Sequence, residues 1–575
     1  MILNNASTSA VDSEYPNTAG RDPARGAMPA LQQWMTSRNL PVMLALLSVV
    51  SGTLLIVHTY TIFSQTYDES AHIACGMEWL DRGTYQLETL HPPLARVATA
   101  FLPFLSGARF PGLTGMLKNG NAILNGNDSY QRNLTLARVG ILPFFWLACF
   151  LVWRAMAREF NPSHAAIAVF LFAFCPVVLG HSGLATTDAA LMAMFLLSVL
   201  GFQNFLAEPA LSTAILAGVC LGLGLLTKFT EIPFFLVTSA GLFLYTALRK
   251  KRVQIHWRFA SLAIMVACLV VWAGYRFEVG PVFTPEFLQE SGSRRLAPFL
   301  ASHGMIRALL LWRWVPAQDF FRGIYEVILR GGIHGGTSYL LGKVYSGGRW
   351  EFFPVALVVK SPIALLIFVV VESVWLMSTR EWKFASTSAL LLIGVASLLL
   401  ICMCGNINIG VRHILPVYPF LAMLGAGGAV RLWSLRGVRW LRVSARVVVA
   451  LLLGWSLETC LHAAPDLFPY FNEISDSHAS YFLVDSDLDW GQDLHRLSVT
   501  LRQLGVQSVS LDLFETADLD RAQLPDYHVL QPGEPLTGWV AISEFEFRTH
   551  PEYLQLENIS YIRVGRSIRL YRIDS

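Results

Sequence analysis

Residues 40–63 read LPVMLALLSVVSGTLLIVHTYTIF, and residues 67–72, shortly after them, read YDESAH. The first stretch is long and apolar enough to cross the hydrocarbon core of a membrane, which takes roughly 17–25 residues. The second stretch places Asp68, Glu69 and His72 where that span meets water. Charged groups at such a position avoid lipid and are typical of sites that handle a charged substrate. The two stretches together predict a membrane protein with polar chemistry at one membrane surface.

Composition extends this prediction to the whole chain. Of its 575 residues, 54% are hydrophobic and only 14% are charged, and the mean hydropathy is +0.48. A soluble protein this apolar would expose too much hydrophobic surface, so a polytopic membrane protein is expected. The net charge of +3 gives no indication of a nucleic-acid partner, and we expect none. The eight cysteines have no metal-ligand spacing and mostly fall in apolar runs, which favours small core residues over disulfides or zinc ligands.

About eleven segments have the length and apolar character of transmembrane helices. They lie near residues 40–63, 135–156, 164–182, 185–206, 210–227, 230–248, 258–277, 353–377, 386–404, 413–431 and 445–463. The stretch Val97 to Leu105 is too short to span and contains Pro103, so we expect an interfacial helix there.

Basic residues between alternate spans predict the orientation, because cytoplasmic loops are rich in Lys and Arg. With a cytoplasmic N-terminus, the inside loops carry Arg154, Arg158, Arg249, Lys250, Lys251, Arg252, Arg258, Arg380, Lys383, Arg431, Arg436, Arg439, Arg442 and Arg446. The YDESAH segment, the loops 278–352 and 405–410, and everything after about residue 464 then lie outside. A multi-pass protein of the cell's inner (plasma) membrane is therefore expected.

Three domains are predicted from these patterns. Residues 1–38 are polar and rich in Ala, Ser, Pro and Gly, which is typical of a disordered tail. Residues 39–463 form the transmembrane domain. Residues 464–575 alternate polar and apolar positions, with a helical pattern over 494–504 and a hairpin signal at 565–567, and predict a small extracytoplasmic α/β domain.

Further charged residues fall at a similar depth, in the outer third of the membrane. They are Arg138, Asp188, Lys228, Lys360, Arg412 and His413. Each has a plainer interpretation: basic residues near span ends often snorkel to the interface, and acids often begin a helix. Taken together they indicate one outward cavity, in which carboxylates suit general-base work on a hydroxyl and cations suit a phosphate. A cavity at the lipid edge points to a transferase whose leaving group is a lipid-linked phosphate.

Three elements of the first outer loop carry a family resemblance. These elements are the Asp-Glu pair at 68–69, the Gly-Thr-Tyr step at 83–85 and the His-Pro-Pro-Leu-Ala-Arg element at 91–96. Together they are similar to the first outer loop of protein O-mannosyltransferases. They also resemble the wider set of bacterial glycosyltransferases of the GT-C fold that use polyprenyl-phosphate sugars, including the aminoarabinose transferases of lipid A. The similarity continues through Leu-Thr-Lys at 226–228, Asn-Ile-Gly-Val-Arg-His at 408–413 and the acidic run 487–493.

The resemblance implies a GT-C fold and roles for individual residues. It implies that Asp68 is the general base, that Glu69 helps to hold acceptor or sugar, that Arg96 and Arg138 lie toward the donor phosphate, and that Asp188 is a second acid of the cavity wall. Asp68 and Glu69 are both candidate catalytic residues, and the sequence leaves open which of the two carboxylates faces the sugar and acts as the base. The charge pattern adds Arg412, His413, Lys228 and Lys360 to the donor-phosphate set, and His72 and His91 to the sugar or acceptor set. The partners implied are a polyprenyl-phosphate lipid carrier and an acceptor.

Departures from the family pattern leave the acceptor open between protein, lipid A and other envelope glycans. The loop 278–352 shows no β-trefoil pattern, and His91-Pro92-Pro93 stands where the aminoarabinose transferases have Lys-Pro-Pro. Aromatic residues of that loop, including Trp312, Trp314 and Trp350, suit either a cavity cover or an interfacial belt.

The expected reaction is an inverting single displacement with no resident metal. A divalent cation is left open, and Asp487-Leu488-Asp489 is an Asp-x-Asp match in the outer parts of the chain. The alternative from another class is a membrane transporter or channel with a charged outer vestibule.

Overall fold

The computed structural model describes residues 39–249, 256–283, 314–333, 337–379, 386–531 and 533–573. The predicted tail 1–38 lies outside the described residues. So do six of the residues named above, namely Lys250, Lys251, Arg252, Trp312, Arg380 and Lys383.

Helices make up most of the described residues between 39 and 463. Those before the long outer loop are α1 (Asn39–Thr59), α2 (Glu69–Asp81), α3 (Pro93–Leu105), α4 (Met116–Leu124), α5 (Tyr130–Val139), α6 (Leu142–Glu159), α7 (Pro162–Ala173), α8 (Pro176–Ser182), α9 (Asp188–Ala207), α10 (Leu211–Leu225), α11 (Glu231–Arg249) and α12 (Trp257–Gly274). Those of the loop and after it are α13 (Gln318–Ile333), α14 (Phe352–Lys360), α15 (Ile363–Thr379), α16 (Ser386–Met403), α17 (Tyr418–Trp433) and α18 (Arg439–Ala463).

Every one of the eleven predicted spans coincides with described helix. Seven helical segments, α5 and α6 counting as one and α17 including the turn from Val411, are individually long and apolar enough to cross a membrane. Two further spans are bent pairs, α7 with α8 and α14 with α15. The last two, α10 and α16, are shorter apolar helices, as is α3, which forms where an interfacial helix is expected. The predicted multi-pass helical architecture is therefore confirmed.

Prolines explain the two bends. The axis turns by 66° between α7 and α8, where Pro176 follows Cys175, and by 116° between α14 and α15, where Pro362 follows Ser361. Proline lacks the backbone N–H that an α-helix needs and clashes with the preceding turn, so a helix stops before it. Both breaks lie at the end of the bundle that carries the predicted site residues.

Helices at the periphery of the bundle and helices at its centre have different surfaces. Helix α1 exposes large apolar side chains, for example Leu46 at 60% and Leu54 at 65%, as a lipid-facing helix does. In contrast, α9 and α17 are buried among other helices along most of their length. The core of the bundle is therefore formed by α9 and α17, and the lipid-facing surface by helices such as α1, α12 and α18.

The first outer loop is a compact layer of short helices on the bundle. Helix α2 packs so closely on α3 and α4 that a Cβ on Gly76 would lie 1.9 Å from the Arg96 carbonyl oxygen. A Cβ on Gly120 would lie 2.1 Å from the Ser70 carbonyl oxygen. Only glycine permits such close backbone approach. This packing fixes the start of α2, and with it Asp68 and Glu69, against the bundle.

The described part of the loop 278–352 contains two small pairs of strands and α13. Strand β1 (Val279–Gly280) pairs with β2 (Val315–Pro316), and β3 (Thr337–Leu340) pairs with β4 (Lys343–Ser346), both antiparallel. Trp314 and Trp350 are exposed, at 69% and 64%. Tyr339 is buried and donates its hydroxyl hydrogen to the Ser480 carbonyl oxygen at 2.9 Å, so this loop contacts the C-terminal part of the chain.

The C-terminal part forms the predicted α/β domain. Its helices are α19 (Ala479–Phe482), α20 (Leu494–Gln503) and α21 (Glu544–Thr549). Its strands are β5 (Ser508–Asp512), β6 (Asp526–Val529), β7 (Gly538–Ser543), β8 (Ile562–Val564) and β9 (Ile568–Ile573), in the sheet order β6-β5-β7-β9-β8. The first two pairings are parallel and the last two antiparallel. The predicted hairpin is confirmed, with Gly565 at φ +57° between β8 and β9.

Candidate active site

The adjacent carboxylates at the start of α2 have opposite environments. Glu69 is fully buried and accepts four hydrogen bonds, two from the Arg138 guanidinium at 2.8 Å and one each from the backbone N–H groups of Thr66 and Ala185 at 2.7 Å. Asp68 keeps 31% of its side chain exposed. Residues next to each other on a helix point about 100° apart, so the pair divides into one inward and one outward carboxylate.

Arg138 has no donor left for a ligand in this arrangement. Besides the two bonds to Glu69, its Nη1 donates to the carbonyl oxygens of Phe63 at 3.0 Å and Tyr60 at 3.4 Å, and its Nη2 donates to the Ser64 carbonyl oxygen at 2.7 Å, so all five N–H groups are used. Arg138 is 0% exposed. The geometry therefore favours a positioning role for Arg138 and Glu69, in which the pair anchors the turn before α2 to α5.

Asp68, Arg412, Asp188 and Lys228 form an alternating series of charges, which we call the charge chain. The Arg412 Nη1 lies 2.7 Å from the Asp68 Oδ2 and 3.8 Å from the Asp188 Oδ2. The Lys228 Nζ lies 2.7 Å from the Asp188 Oδ1. These residues come from the start of α2, the turn before α17, the start of α9 and the α10–α11 connection. Four distant segments thus meet at one end of the bundle, as the sequence predicts.

Polar atoms without protein partners surround the charge chain. The Asp188 Oδ2, the Arg412 Nε and the His413 Nε2 are buried and have no hydrogen-bond partner among the described residues, and neither ring nitrogen of His181 has one there. Such atoms are rare in folded proteins unless water or a ligand satisfies them. Their concentration here indicates a polar site that accommodates one or both.

The two predicted histidines and Arg96 form a second group beside the charge chain. Arg96 Nε donates to the His72 Nδ1 at 3.1 Å, and the rings of His72 and His91 meet edge to face at 5.2 Å. Arg96 also pairs with Glu88 and donates to the Tyr85 hydroxyl at 3.1 Å. Since Arg96 is 1% exposed and saturated with these partners, the geometry favours a role in holding the histidines rather than a phosphate.

The C-terminal segment builds one wall of the site, which the sequence does not predict. The Trp490 ring lies under the Arg412 guanidinium, 4.3 Å from its carbon, and Trp490 is 1% exposed. The Trp490 carbonyl oxygen accepts the backbone N–H of Tyr67 at 2.9 Å, one residue before Asp68. A tryptophan within an acidic run is a weak signal, and only the fold shows which cation it meets.

Lys360 lies in this wall and not with the charge chain. Its Nζ donates to the carbonyl oxygens of Phe468, at 3.2 Å, and Asp487. The Asp487 Oδ1 accepts the Val411 N–H at 2.9 Å, and an oxygen of Asp489 accepts the Phe545 N–H at 2.8 Å. Lys360 and Asp487 therefore dock the C-terminal segment on the bundle, whereas Asp489 ties this segment to α21 within the C-terminal domain.

Asp485 is a further carboxyl at the site that sequence analysis missed. It has a left-handed backbone, with φ +53°, and sparsely populated backbone angles of this kind cluster at functional sites. Burial raises the pKa of Asp485 to about 7, against the opposing effect of Arg412, and Asp487 and Asp68 add to the rise. Asp485 therefore lies within electrostatic range of the charge chain and is half protonated near neutral pH.

Shifts in the pKa values of Asp68, His72 and His91 determine the charges that these residues carry at neutral pH. Burial raises the pKa of Asp68, but Arg412 and His72 outweigh it, so the net shift is downward and Asp68 is ionised. Burial, followed by Arg96, holds the pKa of His72 well below its usual range. Burial also lowers the pKa of His91. At neutral pH the site therefore presents an ionised Asp68 beside two neutral imidazoles.

Comparison with known proteins gives one family match. Residues 134–275 match the family described as "Dolichyl-phosphate-mannose-protein mannosyltransferase". The matched segment runs from α5 to α12 and contains Arg138, Asp188 and Lys228. The resemblance to protein mannosyltransferases is thus confirmed over this segment. No curated protein matches the chain.

Solved structures show distant likeness. ArnT from Cupriavidus metallidurans bound to undecaprenyl phosphate is 12% identical, with 91% of this chain and 97% of that chain covered and a TM-score of 0.47. The apo oligosaccharyltransferase of Archaeoglobus fulgidus is 14% identical, with 75% and 56% covered and a TM-score of 0.48. The Archaeoglobus fulgidus oligosaccharyltransferase AglB, in complex with an inhibitory peptide and a dolichol-phosphate, is 13% identical, with 88% and 69% covered and a TM-score of 0.44.

Proposed function

We propose that the chain is an integral membrane glycosyltransferase of the GT-C type. It moves a sugar from a polyprenyl-phosphate carrier to a hydroxyl acceptor at the extracytoplasmic face of the inner membrane. The observation that carries the proposal is the charge chain, in which a partly exposed carboxylate and two cations lie beside unpartnered polar atoms. The family match over residues 134–275 and the motifs of the first outer loop support the class of reaction.

Asp68 is the proposed general base, and Glu69 is not. Asp68 is the carboxylate that is partly exposed toward the site. Both oxygens of Glu69, in contrast, already accept hydrogen bonds from Arg138 and from the backbone N–H groups of Thr66 and Ala185. Asp68 takes the proton of the acceptor hydroxyl while the acceptor oxygen bonds to the anomeric carbon. A lowered pKa makes Asp68 a weak base but keeps it ionised, so the proton moves as the new bond forms.

The bond between the anomeric carbon and the phosphate oxygen breaks on the opposite face of the sugar, so the configuration inverts. The polyprenyl phosphate leaves with the bonding electrons and gains negative charge. Arg412 and Lys228 stabilise that charge, together with His413, because preorganised donors in a buried site cost no rearrangement during the reaction. A phosphate is a good leaving group, so the reaction needs no strong general acid.

The remaining predicted residues divide into two groups in this proposal. His72, His91 and Asp188 line the sugar and acceptor side. Arg138, Arg96 and Lys360 are positioning residues, because their donors are occupied by Glu69, by Glu88 and by backbone carbonyl oxygens. The acceptor is a protein, lipid A or another envelope glycan, and the transferred sugar is a hexose or pentose.

Mass analysis of envelope glycolipids and glycoproteins from cells with and without this protein tests the proposal. Loss of one glycan mass from a single acceptor class is the expected result, and purified protein should restore it from a polyprenyl-phosphate donor. Unchanged glycans together with ion flux through the reconstituted protein, without any donor, would instead establish the transporter alternative.

A further inference from the structure

A cavity of about 470 Å³ lies at the end of the bundle opposite to the candidate active site. It is enclosed by the last turns of α6, α9 and α11 and the first turn of α16. Helix α9 connects the two sites directly, since it begins at Asp188 and ends at Ala207. At 1.5 Å per residue, its 20 residues separate the two ends by about 30 Å, the thickness of a hydrocarbon core.

The mouth of this cavity is basic. Of the described residues, Arg154, Arg158 and Arg249 line it together with one acidic residue, Glu159, so this described lining carries a net charge of three minus one, or +2. Arg154 makes no hydrogen bond or ion pair with the described part of the chain. Arg158 is directed across the mouth by the Asn204 Oδ1, which accepts from its Nη1 at 2.8 Å.

The floor of the cavity is apolar. Leu242, Leu390 and Met423 line it and are buried, and Leu200 adds a half-buried side chain. An apolar floor offers nothing to a free inorganic anion, which keeps its hydration shell. It suits an acyl chain, whose burial is favoured by roughly 0.8 kcal/mol for each methylene group.

We infer that this cavity binds an anionic phospholipid, with its phosphate at Arg154 and Arg158 and an acyl chain against the floor. Basic pockets between transmembrane helices, at a membrane surface, recognise such headgroups by charge. The excess of arginine in cytoplasmic loops accounts for basic residues at these span ends, but not for the convergence of three of them on one apolar cavity. The inference is independent of the proposed transferase activity.

Native mass spectrometry of the full-length protein in detergent, titrated with phosphatidylglycerol, tests this inference. Arg154→Gln with Arg158→Gln should weaken retention of the bound lipid by about 25-fold, since each basic residue near a lipid surface contributes about fivefold. The matched control is Arg439→Gln with Arg442→Gln, two exposed residues of α18 that do not line the cavity. The control pair should retain the lipid as the wild type does.

Two further arms make the outcome decisive. Ala207→Trp keeps every arginine but fills the mouth with an indole at an exposed position, and it should also release the lipid. Inorganic phosphate at millimolar concentration should not displace phosphatidylglycerol. Equal lipid retention by wild type, the cavity pair and Ala207→Trp would overturn the inference, as would equal loss in the control pair or displacement by inorganic phosphate.

Discussion

Replacing Glu69 by Ala is expected to destabilise the protein far more than replacing Asp68 by Ala. The Glu69 change removes four hydrogen bonds and leaves the Arg138 guanidinium buried without its counter-charge. Breaking a buried ion pair by removing one partner costs about 3–5 kcal/mol. Asp68 makes one ion pair with its side chain about a third exposed, and such pairs are worth at most about 1 kcal/mol.

The assay is the unfolding of purified protein in lipid nanodiscs, followed by circular dichroism against temperature and against denaturant. Glu69→Ala should lower the midpoint strongly, Glu69→Gln by an intermediate amount, and Asp68→Ala slightly, because Arg412 keeps Asp188 as a second counter-charge. The matched control is Glu552→Ala, an exposed carboxylate of the C-terminal domain. If Glu69→Ala unfolded at the wild-type midpoint while Asp68→Ala did not, the division into an anchoring and a reacting carboxylate would be refuted.

Three further predictions concern the wall formed by the C-terminal segment. Folding raises the pKa of Asp485 from 3.8 to about 7, so its protonated form stabilises the folded protein fully below pH 3.8, and this stabilisation is lost as the pH rises to about 7. The unfolding temperature of the wild type should therefore fall over this pH range, and Asp485→Asn should remove that part of the fall. Trp490→Ala should raise the donor KM by about tenfold through the lost cation–π contact with Arg412, and an unchanged KM would contradict this. Lys360→Met should speed amide hydrogen exchange in residues 465–490, whereas the exposed control Lys343→Met should leave it unchanged.

The helical architecture could be predicted from the sequence because the length and apolar character of a segment identify it as a membrane span. All eleven segments appear as helices, and the two that bend do so at Pro176 and Pro362, which are visible in the sequence. The hairpin at Gly565 could also be predicted from the sequence, because a turn residue between two strands with alternating polar and apolar positions is a local signal.

The sequence could not predict which hydrogen-bond or ion-pair partner each charged side chain has. Arg138 and Arg412 both lie near the start of a predicted span and look alike in the sequence. In the structure, however, Glu69 and backbone carbonyl oxygens occupy the donors of Arg138, whereas the Arg412 Nε has no hydrogen-bond partner among the described residues. The difference depends on contacts between residues 69 apart and 344 apart in the chain. The same holds for Lys360 and Trp490, whose roles follow from how the C-terminal segment docks on the bundle.

The most direct test of the central claim is single-turnover sugar transfer from a polyprenyl-phosphate donor by Asp68→Asn. Asn keeps the size of Asp and a hydrogen-bond acceptor for Arg412, but it cannot take a proton. The rate should fall by about 10²–10⁴-fold, as for removal of a general base, with the unfolding temperature nearly unchanged. The exposed control Asp128→Asn should transfer at the wild-type rate. Wild-type transfer by folded Asp68→Asn would contradict the account.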